Sequence, residues 1–374
     1  MSKLFSPCRL GSLTLRNAVV FLPFYTSYAD ENGLITEAQI RYYRRMAASG
    51  VGLVVVEASG LRHSAPRHFI HAFDSQHLSG LKKMVDAVQG EGAKAVLQIC
   101  HPGRFAFVPG CLAPSAVPPF GNNDLMPKAM TEKDMESVIA DFVESAQIAL
   151  QAGFDGVELH GGTGYLLASF LSPYTNRRTD QYGGSLENRV RFPVQVLDAL
   201  RGRVGNYPVG YRFMAREYIE GGLSLQEGAD AAKLLSMGNN LAYLSVTAGT
   251  HECFALMAQR REKAQEGFML SEAQAVKKAV PNVAVIGAGH MQSKEICERA
   301  LNDGLSDAVG LGRVLYADED WLRKVSGKMT EPIKKCVQCG TCIKQVQAGK
   351  LVYCGGWSKE KKTEILQGLS LERL

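Results

Sequence analysis

Eight short apolar runs are spaced along the chain, and segments with helical patterns separate them. The runs are rich in Val, Ile and Leu and do not alternate apolar with polar positions, as half-exposed strands would. Continuous apolar runs between helices are typical of parallel strands buried on both faces, so eight of them predict a closed barrel. The runs cover residues 18–24, 52–59, 93–100, 154–160, 207–213, 241–247, 283–287 and 307–312.

The segment before the fourth run carries the signals of an amphipathic helix. Thr131 and Asp134 have the spacing of a capping box, and Gly153 suits a helix end. The apolar positions expected on one face of this helix are Val138, Ile139, Phe142, Val143, Ala146 and Leu150. A strand follows at once, as a β/α unit requires.

An open, doubly wound sheet is the competing architecture, and it requires a glycine-rich dinucleotide fingerprint. The nearest sequence is GAGHMQ at 287–292, where Gln292 stands in place of the third glycine. The pattern therefore favours an α/β fold, a (β/α)8 TIM barrel. We expect the barrel to occupy residues 1–325 and a cysteine-rich extension to occupy residues 326–374.

Polar residues follow several of the predicted strands directly. In a β/α barrel the active site lies at the carboxyl ends of the strands, so these residues are the candidates for chemistry. They are Glu57, Gln98, His101, His160, Arg212, Thr247, His251, Gly287, Gly289, Gly312 and Arg313. Their shared position on successive strands favours a functional role over isolated structural ones.

Composition and charge narrow the class of protein. The chain has 374 residues, 46% hydrophobic and 21% charged, which suits a folded enzyme with a large core. Its net charge of +5 is concentrated in residues 321–362, which hold ten Lys or Arg against two Glu. Aromatic residues do not interleave with these charges, which argues against nucleic-acid binding. Without an apolar run of membrane-spanning length or a secretory signal, we expect a cytoplasmic protein.

Nine cysteines fall into two groups. Cys8, Cys100, Cys111, Cys253 and Cys297 are scattered singly and are expected to pack in the core. The other four have the spacing Cys336-x2-Cys339-x2-Cys342-x11-Cys354. Three close cysteines and a distant fourth favour an iron-sulfur cluster over structural zinc, which more often uses two separated CxxC pairs, and over incidental thiols.

The sequence HGGTGYLLASFLSPYTNRRTDQYGGSLENRVRF at 160–192 resembles the old yellow enzyme family of FMN-dependent oxidoreductases. The stretches QICHPGR at 98–104 and VIGAGHM at 285–291 support the likeness. The cysteine spacing is similar to the branch that contains 2,4-dienoyl-CoA reductase and trimethylamine dehydrogenase, whose barrels carry a [4Fe-4S] cluster. This resemblance implies FMN, a cluster on the four cysteines, and NAD(P)H as direct or indirect electron donor.

The resemblance also assigns cofactor contacts. Gln98 would face the pyrimidine edge of the flavin, and Arg212 would lie beside the position that becomes negative on reduction. Pro23, Tyr25 and Ala58 would line the ring, with Tyr25 standing where relatives often have Thr or Cys. The phosphate would be bound by Gly287, Gly289, Gly312 and Arg313.

For the substrate, the resemblance implies two carbonyl donors and a proton donor. His160 is the first donor, and Tyr165 is the proton donor. Thr163 occupies the second donor position, where relatives have His or Asn, and a hydroxyl is a weaker donor there. His251 matches the second proton-handling residue of dienoyl-CoA reductases.

The resulting hypothesis is reduction of an activated, enoyl- or dienoyl-type C=C bond, CoA-linked substrates included. The alternatives are an amine or C–H dehydrogenase and a non-catalytic electron-transfer subunit. We expect a small-molecule substrate, an electron-donor protein or subunit that supplies the cluster in trans, and, by resemblance, a homo-oligomer.

Overall fold

A closed barrel of eight parallel strands forms the centre of the computed structural model, which describes residues 2–66, 68–106, 108, 110–238, 241–260 and 263–372. Each strand pairs with the next, and the first strand pairs with both the second and the eighth, which closes the barrel. The strands are β1 (Val19–Phe21), β2 (Leu53–Gly60), β3 (Lys94–Cys100), β4 (Gly156–Gly161), β5 (Val209–Met214), β6 (Tyr243–Thr247), β7 (Ala284–Gly287) and β8 (Ala308–Leu311). The predicted (β/α)8 fold is confirmed, and each apolar run contains a strand that ends within it or one residue after it.

Helices surround the barrel and fill the loops at its carboxyl end. Their bounds are α1 (Glu37–Ala48), α2 (Leu78–Gln89), α3 (Glu132–Ala152), α4 (Leu166–Leu171), α5 (Leu186–Val204), α6 (Leu225–Ser236), α7 (His251–Gln259), α8 (Leu270–Ala279), α9 (Lys294–Asn302), α10 (Arg313–Ala317), α11 (Trp321–Val325), α12 (Thr341–Gln347) and α13 (Lys359–Glu372). In the described part of the chain, no helix has the length and apolar character needed to span a bilayer.

An antiparallel hairpin of Cys8–Leu10 and Leu13–Leu15 closes the amino end of the barrel. Its leucines join the side chains inside the barrel in one buried cluster, separate from the larger core between the strands and helices. At the turn, Gly11 has φ +59°, and a Cβ there would lie 2.7 Å from the Cα of Ala242. Because the hairpin covers the amino end of the barrel, a ligand can enter the barrel only from the carboxyl ends of the strands.

Helix α3 tests the sequence pattern directly. Thr131 and Asp134 form both bonds of the predicted capping box, and Gly153 ends the helix at φ +91°. The expectation that Leu150 faces the core is wrong, because its side chain is 44% exposed. Steps of four residues overshoot the helical repeat, so Leu150 lies about 120° around the helix from Val138. Ala149 and Ala152 continue the buried face instead.

The C-terminal extension packs back on the barrel. The Val352 carbonyl accepts hydrogen bonds from the hydroxyls of Tyr28 and Tyr316, at 2.9 and 2.8 Å, and its N–H donates to the Thr26 carbonyl at 3.0 Å. The Trp357 indole N–H donates to the Tyr316 carbonyl at 2.9 Å. The domain division after residue 325 stays a prediction.

Candidate active site

Three partly buried rings meet at the carboxyl ends of β4 and β6. The Tyr165 ring lies 4.7 Å from His160 and 5.1 Å from His251, between ring centroids, with both contacts edge-to-face. Tyr165 precedes α4, and His251 begins α7. The three residues predicted for carbonyl activation and proton transfer are therefore neighbours.

Burial sets the protonation of these rings. It is the main cause that holds the pKa of His160 well below its usual range, with the charge of Arg212 adding to it. Burial, with a smaller effect of Arg104, lowers the pKa of His251 to about 4. Burial, with the nearby Cys100 and Tyr25, raises the pKa of Tyr165. Near neutral pH both imidazoles are therefore uncharged and the phenol keeps its proton.

Thr163 presents a buried hydroxyl that has no partner in the protein. The φ of Thr163 is +52°, which is unusual for a β-branched residue. Its backbone carbonyl accepts a hydrogen bond from the backbone N–H of His251 at 3.2 Å. Residues that the surrounding structure holds in strained backbone conformations are common at active sites. An unsatisfied buried hydroxyl is costly unless a ligand completes it, which fits a group bound against this loop.

A polar row crosses the neighbouring strands β3 to β6. The register sets His160 beside Arg212, and Arg212 beside Ser245. The Arg212 guanidinium donates to the Ser245 hydroxyl at 2.8 Å, and the Gln98 amide donates to Glu158 at 2.8 Å. Burial lowers the pKa of Arg212, and the Glu158 carboxylate opposes that shift. Arg212 therefore lies within the polar row, between His160 and Ser245.

Glu57 supports the loop after β1 instead of facing a ligand. Its side chain is fully buried and accepts bonds from the Thr26 N–H at 2.7 Å, the Thr26 hydroxyl at 2.6 Å and the Gln39 amide at 2.8 Å. Burial raises the pKa of Glu57 to about 7. The supported loop carries the half-buried Pro23 and Tyr25, and the Tyr25 ring lies 4.7 Å from the Phe69 ring, between centroids, with the planes tilted by 35°. Ala58 is also half-buried, next to Glu57 on β2.

His101 is turned toward the backbone. It is buried, its Nδ1 accepts the Gly103 N–H at 3.0 Å, and burial lowers its pKa to about 4. His101 therefore stabilises the turn after β3 through its hydrogen bond with the Gly103 backbone.

The predicted phosphate residues lie after β7 and β8. Gly289 has φ +122°, and a Cβ there would lie 2.7 Å from the Met269 backbone nitrogen. Gly312 precedes α10, and Arg313 is the first residue of that helix. After burial, the charge of Arg313 is the next cause that lowers the pKa of His290, which places Arg313 near the β7 loop. Close backbone packing with an adjacent guanidinium suits a dianionic phosphate.

The four clustered cysteines line one cavity of about 100 Å³, together with Arg313, Tyr316 and two lysines, Lys334 and Lys335. Across the described residues, no three His, Cys, Asp or Glu side chains are close enough to ligate a single metal ion. Four thiols around one cavity fit the donor set of a [4Fe-4S] cluster. The backbone N–H of Cys336 donates to Gln292 at 2.6 Å.

Sequence reasoning missed several residues of the site. Glu158 lies within the fourth apolar run and was not singled out there. It is two residues before His160, so both side chains lie on the same face of β4. Phe105, Phe120 and the buried ion pair of Arg104 with Glu252 also adjoin the rings. They come from distant loops, and a single sequence gives no signal for their contact.

Known proteins share both the sequence and the architecture. Residues 3–331 match the model of the NADH:flavin oxidoreductase / NADH oxidase family. The chain is 36% identical over 351 residues to an NADH oxidase of Thermoanaerobacter brockii, covering 91% of this chain and 53% of that protein. It is 33% identical over 341 residues to an NADPH dehydrogenase of Geobacillus thermodenitrificans, covering 90% and 97%.

The fold resembles a solved complex of 2-naphthoyl-CoA reductase with 2-naphthoyl-CoA. The TM-score is 0.89 at 28% identity, and the match covers 98% of this chain and 58% of that one. The chain thus spans about half the length of the NADH oxidase and of this reductase. The family match covers most of the chain, and the chain therefore belongs to the NADH:flavin oxidoreductase / NADH oxidase family, whose members are FMN-dependent oxidoreductases.

Proposed function

We propose that this protein uses FMN and a [4Fe-4S] cluster to reduce an activated C=C bond of an enoyl or dienoyl substrate, with CoA thioesters as the favoured class. The observation that carries this proposal is the contact of Tyr165 with both His160 and His251, beside the unpartnered Thr163 hydroxyl. This arrangement combines carbonyl donors with a protonated phenol in one place.

The residues that would hold FMN come from the polar row, the loop after β1, strand β2 and the loops after β7 and β8. Gln98 and Arg212 would bind the ring edge, Pro23, Tyr25 and Ala58 would line it, and Gly287, Gly289, Gly312 and Arg313 would hold the phosphate. When bound, FMN supplies the hydride for the β-carbon of the substrate. The fixed charge of Arg212 favours a ring that carries negative charge.

His160 and Thr163 would hold the substrate carbonyl. His160 Nδ1 accepts the Gly162 N–H at 3.2 Å, which assigns the imidazole proton to Nε2. A neutral His160 can then donate from Nε2 to the carbonyl oxygen, and the Thr163 hydroxyl adds a second donor. Two donors favour negative charge on that oxygen in the transition state.

Tyr165 would deliver the proton to the α-carbon. Its raised pKa keeps the phenol protonated near neutral pH, and a positioned acid of this kind accelerates proton transfer. His251 is neutral and within ring contact, so it can relay a proton from water to the phenolate after each turnover, accepting at one ring nitrogen while donating from the other.

Cys336, Cys339, Cys342 and Cys354 would ligate the cluster. A bound cluster supplies single-electron transfer between the flavin and an external donor. Four exposed lysines near the cysteines would attract an acidic electron-carrier protein, namely Lys334, Lys335, Lys344 and Lys350. NAD(P)H is the other donor, acting directly or through that partner.

Protein purified without oxygen provides the first test, by quantifying flavin, iron, sulfide and zinc. We expect one flavin and about four irons per chain. Flavin with zinc and no iron would contradict the cluster. Turnover of enoyl-CoA and dienoyl-CoA would then be assayed with NADH, NADPH and reduced ferredoxin as separate donors.

The same assays decide between directions of reaction. Oxidation of an added amine coupled to reduction of an artificial electron acceptor, without any enoyl-CoA turnover, would favour the amine dehydrogenase alternative and contradict the proposal. Rapid reduction by a free nicotinamide that is unaffected in C339A would contradict the relay through the cluster.

A further inference from the structure

We propose that Phe105 and Phe120 form an aromatic wall that receives the planar apolar part of the substrate. The buried ion pair of Arg104 with Glu252 acts as the positioning device for this wall. This inference rests on the proposed function and narrows its substrates to aryl and extended polyenoyl thioesters. The residues come from the loop after β3 and from α7.

The aromatic wall runs from the reactive rings toward solvent. The Phe105 ring contacts His251 at 4.8 Å and Tyr165 at 6.3 Å, and Phe120 at 5.9 Å, all edge-to-face. Phe105 is 4% exposed, whereas Phe120 is 50% exposed. The edge-to-face contacts therefore connect Tyr165 through the buried Phe105 to Phe120, which a substrate can reach from solvent.

A buried ion pair fixes both ends of the aromatic wall. Arg104 is 1% exposed, pairs with Glu252, and places its guanidinium 4.7 Å from the centre of the Phe105 ring. The other Glu252 oxygen accepts the Phe120 N–H at 3.0 Å. Arg104 also donates to the Pro118 carbonyl at 3.0 Å, close to Phe120 in the chain. One carboxylate thus links the guanidinium under Phe105 to the backbone of Phe120.

Phe120 is held in a conformation that it would not adopt alone. Its φ is +53°, which is unusual for a bulky side chain. A charged hydrogen bond to Glu252 helps to hold it there. Phe120 is therefore held against Phe105 with half of its side chain free to contact a substrate.

Helix α7 carries an exposed apolar side chain on the same face as Glu252. Leu256 lies four residues after Glu252 on α7 and is 47% exposed, so it shares the face of the helix that holds the wall. A short substrate would leave these side chains in water. A planar extended group would cover them and gain both burial and ring contacts.

The test compares two thioesters that differ only beyond the C=C bond. Cinnamoyl-CoA carries a phenyl group where crotonyl-CoA carries a methyl group. Binding is measured by equilibrium dialysis with the flavin-loaded protein and no reductant, and kcat/KM is measured separately. In F120A we expect the preference for cinnamoyl-CoA over crotonyl-CoA to fall about tenfold in binding and in kcat/KM. F120L keeps an apolar side chain without a ring and should recover only part of the preference.

E252Q tests the positioning role, because its amide oxygen can still accept the Phe120 N–H while the charge is lost. We expect the same direction of change as in F120A, expressed in KM more than in kcat. The matched control is E144Q, which removes the exposed partner of Arg62, an arginine that also lies over a phenylalanine, Phe73. It should leave the preference unchanged.

The outcomes distinguish a failure of the aromatic wall from a failure of the proposed reaction. An unchanged preference in both F120A and E252Q would overturn the aromatic wall, as would a wild-type protein that binds both thioesters equally. Selective binding of cinnamoyl-CoA that is lost in F120A would support the wall even if neither thioester were reduced, and that absence of turnover would count against the proposed reaction alone.

Discussion

The carboxyl end of the barrel and the cysteine segment are built in contrasting ways. His160 and Arg212 lie on strands whose register places them side by side. The cysteine segment has little regular structure before α12, and side-chain bonds tie it down, such as that from Gln338 to the Ala264 carbonyl at 2.8 Å. A strand scaffold fixes geometry before any ligand binds, whereas an irregular segment gains rigidity from what it ligates.

The largest effect should come from the phenol. Y165F keeps the ring contacts with both histidines but removes the proton, so kcat for enoyl-CoA reduction should fall by about 10²–10⁴-fold. Flavin and iron contents should stay at wild-type values because the scaffold is unchanged. The matched control is Y207F, which removes a phenol that donates to the Phe154 carbonyl at 2.9 Å, near the amino ends of the strands. A similar loss of kcat in both variants would contradict a specific role for Tyr165.

Replacing one cysteine should show how far the stability of the C-terminal extension depends on a bound cluster. In C342A we expect about four irons per chain to be lost while flavin binding is retained. The melting temperature should fall because bound metal stabilises the folded segment. C111A replaces a thiol of similar burial outside the cavity and should keep its iron. Full iron retention in C342A would contradict cluster ligation by this residue.

A smaller effect concerns Glu57, whose carboxyl group supports the loop after β1. Burial raises the pKa of Glu57 from 4.5 to about 7, so the folded state binds this proton more tightly than the unfolded chain does. The corresponding stability is complete below about pH 4.5 and is lost as the pH rises toward 7. The free-energy difference of unfolding between wild type and E57Q should therefore change by up to about 3 kcal/mol across that interval. A free-energy difference of unfolding between wild type and E57Q that stays constant with pH would contradict this role of Glu57.

Much of the barrel could be predicted from the sequence because its strands are buried on both faces and leave uninterrupted apolar runs. Polar residues at the ends of those runs led to His160 and Arg212. The same reasoning misplaced Leu150, since a pattern read in steps of four drifts around a long helix. Local periodicity therefore identifies elements more securely than it identifies faces.

The contacts between loops could not be predicted in this way. Glu252 and Phe120 are 132 residues apart, and only the closed barrel brings their loops together. Cys100 was expected to pack in the core, and it is buried, yet it also lies close enough to Tyr165 to affect the pKa of the phenol. Such roles depend on tertiary neighbours that no spacing along the chain encodes.

The three hydrogen bonds at Val352 have a consequence for proteolysis. A protease that cut the exposed connection near Lys328 would sever the chain between the barrel and the cysteine segment. The fragment would stay attached, because Tyr28, Tyr316 and Thr26 would still hold Val352, and Trp357 would remain buried. A nicked molecule should therefore elute as one particle on gel filtration and separate into two bands only under denaturing conditions.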